Sequence, residues 1–177
     1  HVAVVQLPTV RTPGRLITPT LAEGSARPLS RLRHAACAVR KPTWAVATPG
    51  CDLEQSVLVL GGYSDADRGS DAEGDETELV VSRGDPVPGG CLMLTLLSFG
   101  ASDGSVAHWQ ECEAHGEAPA TIWHHTACSF ASGSRVVVFG GDTKPGDREY
   151  SHIADRASAA HVYCLDVDDR SWSRVVT

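Results

Sequence analysis

Aromatic side chains are scarce in this 177-residue chain, at 6%, and no apolar run reaches the roughly 18–20 residues that cross a bilayer as one helix. No membrane association is therefore expected. Basic residues are outnumbered, 15 Lys and Arg against 22 Asp and Glu, for a formal net charge of −7. Neutralising a phosphate backbone needs clustered cations, so no nucleic-acid partner is expected either. The opening HVAVVQLPTV has neither the basic flank nor the small-residue cleavage site of a secretory signal. It starts at His1 rather than Met, which reads as a piece of a longer chain. C-x-x-C pairs are missing: the six cysteines at 37, 51, 91, 112, 128 and 164 are scattered, several within apolar runs. They read as free thiols in a reducing intracellular compartment, cytoplasm or nucleus. There is no G-x-S-x-G elbow, no phosphate-binding loop and no dinucleotide fingerprint.

What is present is glycine (17) and proline (10), punctuating short β-branched runs. That pattern predicts an all-β protein with many loops, long enough for one domain with its own core. Two runs, SVLVLGGYS at 56–64 and RVVVFGGDT at 135–143, end on a glycine pair. They belong to a larger repeat. LRHAACAV (32–39) lies over WHHTACSF (123–130), matching His34 with His125 and Cys37 with Cys128. Pro28 and Pro119 each stand six residues before the histidine. Apolar runs follow at 91–98 and 161–167, then Trp109 and Trp172. Because CLMLTLLS is apolar throughout, periodicity leaves its register open. A partial copy opens the chain: HVAVVQL overlays HVYCLDV, and RLIT at 15–18 falls on the tryptophan strand with Thr18 in the tryptophan's place.

The ordered set of proline, histidine strand, glycine-pair strand, tyrosine strand and tryptophan strand resembles the kelch repeat. Gly140, Gly141, Tyr163 and Trp172 match the pattern in the last unit. Arg33, His34, Gly61, Gly62 and Trp109 match it in the first complete unit, which has no tyrosine in its third strand. The resemblance implies a kelch-type β-propeller fragment of about two and a half four-stranded antiparallel blades. It divides the chain into the last two strands of one blade (1–27), a complete blade with long loops (28–115) and a second complete blade (116–177). Closed propellers carry four to eight blades, so further blades of the same full-length chain are expected as neighbours. Glycine pairs would admit a close neighbour where a Cβ would collide, and the tryptophans would fill the space between blades.

Other constellations carry less. HHTAC at 124–128 puts His124 and His125 on opposite sides of a strand, which disfavours a shared metal ion. The stretch 65–78 places acids at positions 1, 3, 7, 9 and 12 (Asp65, Asp67, Asp71, Glu73, Glu76), as in a calcium loop. Position 6 is Ser70 where the sharp turn needs glycine, so it reads as a solvated acidic insertion. RGD at 83–85 is a three-letter match, without the extracellular setting that would give it an adhesion role.

The expected function is a non-catalytic protein-protein interaction module, a section of a scaffold or adaptor. The resemblance extends that to substrate recognition in a ubiquitin ligase. Its partner would be another protein or peptide, and no cofactor or metal is expected. The resemblance places Arg33 and His124, the residues just before the motif histidines, near the central mouth. The alternative is a section of a kelch-propeller enzyme, such as a metal-dependent oxidase or lyase. The oxidase needs a copper set of two tyrosines, histidines and a cysteine crosslink; the chain has only Tyr63, Tyr150 and Tyr163, and Tyr163 is already used by the repeat. Elemental analysis of the full-length protein should find no stoichiometric copper or iron; either metal at one equivalent would favour the enzyme.

Overall fold

β-Branched and leucine-rich runs in this chain hydrogen-bond to one another as strands, and the computed structural model describes where. It covers residues 4–6, 15–26, 28, 31, 33–47, 55–64, 85–86, 90–100, 106–119, 122, 124–141 and 162–175. Among these, every regular element is a strand or a short 3-10 turn. None is a helix long and apolar enough to cross a membrane. The strands are β1 (Val4–Gln6), β2 (Arg15–Ile17), β3 (Thr20–Leu21), β4 (Ala35–Arg40), β5 (Gln55–Leu60), β6 (Tyr63–Ser64) and β7 (Asp85–Pro86). They continue with β8 (Met93–Phe99), β9 (Val106–Glu113), β10 (His115–Gly116), β11 (Thr126–Phe130), β12 (Arg135–Phe139), β13 (Val162–Asp166) and β14 (Ser171–Val175).

Two sheets carry the structure. The first has the order β3-β9-β8-β5-β4 and the second β10-β14-β13-β12-β11; β1-β2 and β6-β7 are separate antiparallel pairs. Within each large sheet, four strands form an antiparallel meander. Pairing runs across the first sheet as Ala38–Val57–Leu97–Trp109. In the second it runs as Ser129–Val136–Leu165–Trp172. These are the same positions of the sequence repeat, strand by strand. The open register of CLMLTLLS is thereby settled: Leu97 corresponds to Leu165, so Thr95 stands in the place of Tyr163. In the partial copy Val5 pairs with Leu16 as Leu165 pairs with Trp172. Leu16, not Thr18, therefore holds the tryptophan register.

The large sheets are five-stranded and mixed, where four antiparallel strands were expected. The fifth strand is the segment leading into each meander, which lies parallel to the meander's own last strand: β3 on β9 and β10 on β14. An edge strand leaves a row of open backbone groups, and these short segments occupy part of it. The arrangement repeats in detail. The Trp109 carbonyl accepts from the Ala26 N–H at 2.8 Å, and the Trp172 carbonyl from the Glu117 N–H at 3.0 Å. Thus Thr20–Leu21, in the stretch 1–27, completes the sheet formed by 28–115, and β10 straddles the 115/116 boundary.

Side chains opposite one another in neighbouring strands share a face, so the pairing also says how the sheets stack. Val39, Leu58, Leu60, Leu94 and Leu96 occupy one face of the first sheet. Val136, Val138, Leu165 and Trp172 occupy the facing side of the second, and together they form one buried cluster. Burying each such side chain contributes about 1.5–3 kcal/mol. The Trp172 indole is 3% exposed, and its N–H donates to the Cys91 carbonyl at 3.0 Å, pinning β14 to the 3-10 turn (Gly90–Leu92) that leads into β8. Trp44, in the segment after β4, donates its indole N–H to the Val167 carbonyl at 2.6 Å. Arg40 pairs with Asp168, whose other carboxylate oxygen accepts from the Thr43 N–H at 3.1 Å.

The glycine pairs differ in what surrounds them. Gly61 and Gly62 take φ +60° and +92°, Gly140 and Gly141 +72° and +85°. A Cβ on Gly61 would collide with the Ile122 carbonyl and lie 2.9 Å from the His125 ring; on Gly140 it would meet nothing within 4 Å among the described residues. Gly140→Ala is expected to cost about 1–2 kcal/mol, from the left-handed backbone alone. Gly61→Ala must also displace the second sheet and should lower the melting temperature several times as much. Equal shifts in thermal melts of the two variants would contradict this stacking.

Candidate functional site

Two non-glycine residues at repeat-equivalent positions share an uncommon backbone conformation. Arg33 has φ +54° and His124 φ +57°, each immediately before its motif histidine. The left-handed region costs a residue with a Cβ about 1–2 kcal/mol, so the surroundings must enforce it twice. One enforcing contact is direct: the His124 N–H donates to the Arg33 carbonyl at 3.1 Å. Beside it the Gly62 N–H donates to the Ile122 carbonyl at 2.9 Å. These bonds join the lead-in of the second sheet to the first, and they bring Arg33, His34, His124 and His125 together with Gly61 and Gly62.

Arg33, His34 and His124 are exposed, whereas His125 is 8% exposed. Adjacent His124 and His125 therefore face different surroundings, one water and one the glycine turn. Neither ring nitrogen of His125 has a hydrogen-bond partner among the described residues. Burial, reinforced by repulsion from His34, pushes its pKa down to about 4. A neutral imidazole is a packing element here. The exposed guanidinium and imidazoles around it form a nitrogen-rich surface where β4 and β11 begin, suited to carboxylates through charge-assisted hydrogen bonds.

The remaining motif residues hold the sheets rather than this surface. Trp109 is half-buried on β9 and Trp172 buried on β14; Tyr163 is half-buried on β13, and Gly140–Gly141 close the equivalent turn of the second sheet. The acidic stretch 65–78 and the first two residues of the RGD tripeptide lie outside the described residues. Five described cysteines carry free thiols. Burial raises the pKa of Cys91 to about 12, and that of Cys37 to about 11 with a smaller contribution from Cys128, so neither is a ready nucleophile.

Sequence reasoning did not single out Arg31. Its side chain is only 5% exposed and donates to the Thr95 hydroxyl at 3.2 Å, with Glu111 at 3.8 Å. Burial lowers its pKa while Glu111 raises it. The signal was available: Arg31 is the repeat equivalent of Ile122, a charge where its counterpart is apolar. At the opposite end of β4 and β11 a cavity of about 430 Å³ is lined by Val39, Arg40, Gln55, Ser129, Ser132 and Gly133.

No family model matches the chain, and no curated protein does. Among solved structures, a chain of the cryo-EM structure of RAG in complex with one melted RSS and one unmelted RSS is similar. The likeness has a TM-score of 0.54 at 13% identity. It covers 99% of this chain and 43% of that one, so this chain spans less than half of its neighbour's length. At that identity the likeness concerns fold.

The depressed pKa of His125 links stability to pH. The unfolded chain binds the proton near 6.5 and the folded chain only near 4. The stabilising difference is complete above pH 6.5 and is lost as pH falls through that window. The loss attributable to this group is on the order of 3 kcal/mol. Urea denaturation across pH 4–7 should show a shallower slope in His125→Leu than in the wild type; identical slopes in both proteins would refute the assignment.

Proposed function

We propose that this chain is a section of a kelch-type β-propeller that works as a non-catalytic protein-recognition module. Arg33, His34 and His124 would meet an acidic segment of another protein. The observation that carries the reading is the repeated left-handed residue. Two successive meanders present an exposed, nitrogen-bearing side chain at the same backbone position, joined by the His124–Arg33 hydrogen bond. Matching the positions twice makes a surface that grows with each added unit, as repeat arrays do.

Three further observations support it. The two meanders share one pairing register, as the reading requires of successive blades. The glycine turn of one unit receives the lead-in of the next. The structural neighbour is more than twice as long as this chain, a length compatible with a section of a larger protein. Free thiols fit a reducing cytoplasmic or nuclear setting. Recognition through an exposed rim, with the sheets as a rigid support, leaves the loops and lead-ins to define the partner.

Arg33→Ala in the full-length protein should weaken capture of its partner by at least about tenfold, the loss expected when a charge-assisted contact is removed. Residual binding should depend less on salt. The fold should be untouched, since Arg33 is exposed. Undiminished pull-down, or an unchanged salt dependence, would refute the assignment of this surface.

A further inference from the structure

Where β4 and β11 end, a circuit of contacts ties three segments of the two stacked sheets together. Arg40, the last residue of β4, pairs with Asp168, which also accepts from the Thr43 N–H. Trp44 donates to the Val167 carbonyl, and the Val167 N–H donates to the Ser134 carbonyl at 2.9 Å. Ser134 closes the β11–β12 turn, its hydroxyl donating to the Ala131 carbonyl at 2.8 Å. That turn comes back to Arg40: a Cβ on Gly133 would collide with the Arg40 backbone nitrogen. The cavity of about 430 Å³ abuts this circuit, and Arg40 and Gly133 belong to both. Its volume falls within the roughly 300–1,000 Å³ of small-molecule sites.

The turn on the cavity wall is strained as well as tied. Ala131, Ser132 and Gly133 take φ +47°, +56° and +82°, three left-handed residues in succession, two of which carry a Cβ. The close fit of Gly133 against β4 holds them there and sets Ser132 on the wall, a use of strain common at ligand sites. The lining has hydrogen-bonding capacity to spare. Asp168 engages Nη2 of Arg40, which leaves Nε and Nη1 open among the described residues. The side chains of Gln55, Ser129 and Ser132 bond to no other group among the described residues. Ser129 stands where the first sheet has Ala38, so the second unit adds a hydroxyl at this point. No carboxylate lines the cavity among the described residues.

The chemistry of these groups selects a ligand class. A guanidinium only donates, and its planar edge matches a carboxylate. Serine hydroxyls and a carboxamide both donate and accept, as the hydroxyls of a polyol do. We infer that the cavity binds a small hydroxylated carboxylate, of the sugar-acid or hydroxy-acid class, with its carboxylate on Arg40 and its hydroxyls against Gln55, Ser129 and Ser132. Asp168 holds the guanidinium from outside the cavity and so positions it. The site shares no residue with the Arg33–His124 surface, and it does not rest on the propeller reading.

Titration of the 177-residue chain with D-gluconate, followed through amide shifts in proton–nitrogen correlation spectra, tests it. Saturable shifts are expected at Arg40, Ser132 and Gly133, with a Kd of about 1 mM or below. Sorbitol, which lacks the carboxylate, and acetate, which lacks the hydroxyls, should each bind at least about tenfold more weakly. Gln55→Ala and Ser129→Ala remove side chains that bond to nothing in the fold, so both should melt as the wild type does while binding gluconate severalfold more weakly. Arg40→Lys keeps the charge without the fork and should weaken binding about tenfold. No saturable shift, in a chain whose spectrum shows β4–β5 and β11–β12 paired, would overturn the proposal. Equal affinity for sorbitol or acetate would overturn it too, as would unchanged affinity in Gln55→Ala and Ser129→Ala. Shifts confined to Arg33, His34 and His124 would move the carboxylate to the recognition surface, overturning the cavity assignment while leaving the proposed function standing.

Discussion

The Ile122 carbonyl rests where a side chain on Gly61 would have to be, and the rest of the structure depends on that closeness. A strand that ends without a Cβ lets the next sheet's lead-in approach backbone to backbone, which the Gly62–Ile122 hydrogen bond then fastens. From there the geometry propagates. The lead-in turns through His124, the following strand starts at Thr126, and its register lays Val136, Val138 and Leu165 over the leucines of the first sheet. The tryptophan closes the far side through its bond to Cys91. Close packing of this type tolerates little change in volume, so the small residue and the large ones must be placed together.

Electrostatics is subordinate to this packing in the buried region and dominant at its margin. His125 is held neutral because the space beside the glycine turn has no partner for a proton among the described residues. One residue earlier, His124 projects into solvent from a left-handed backbone. The strain there has the same origin as the packing: the chain must pass over the glycine turn and still begin a strand on the proper face. Arg33 repeats the strain at the start of the first meander, so it belongs to the repeat rather than to one loop.

Much of this was legible in the residues. Paired glycines after an apolar run, a histidine 91 positions from its counterpart and a later tryptophan specify matching strands, and the observed pairing follows those matches. Other features carried no local signal. An unbroken apolar run such as CLMLTLLS has no period to reveal its face, so Thr95 could be identified with Tyr163 only through its partners. Two-residue parallel edges like Thr20–Leu21 are too short to show alternation. The tryptophan's equivalent in the partial copy was placed two residues late because a period of two cannot by itself tell position 16 from position 18. At the candidate surface, Arg33 and His124 were identifiable by their place in the repeat. Their shared φ was not, since arginine and histidine do not advertise a left-handed conformation as glycine does.

Nuclear Overhauser spectroscopy of the folded chain probes the central contact directly, through protons on either side of it. The account predicts cross-peaks from the Gly61 α-protons to the His125 ring Hε1 and to the Ile122 methyl groups. Their absence, in a spectrum that shows the β4–β5 and β11–β12 cross-strand peaks, would mean that the two sheets form but do not stack through the glycine turn.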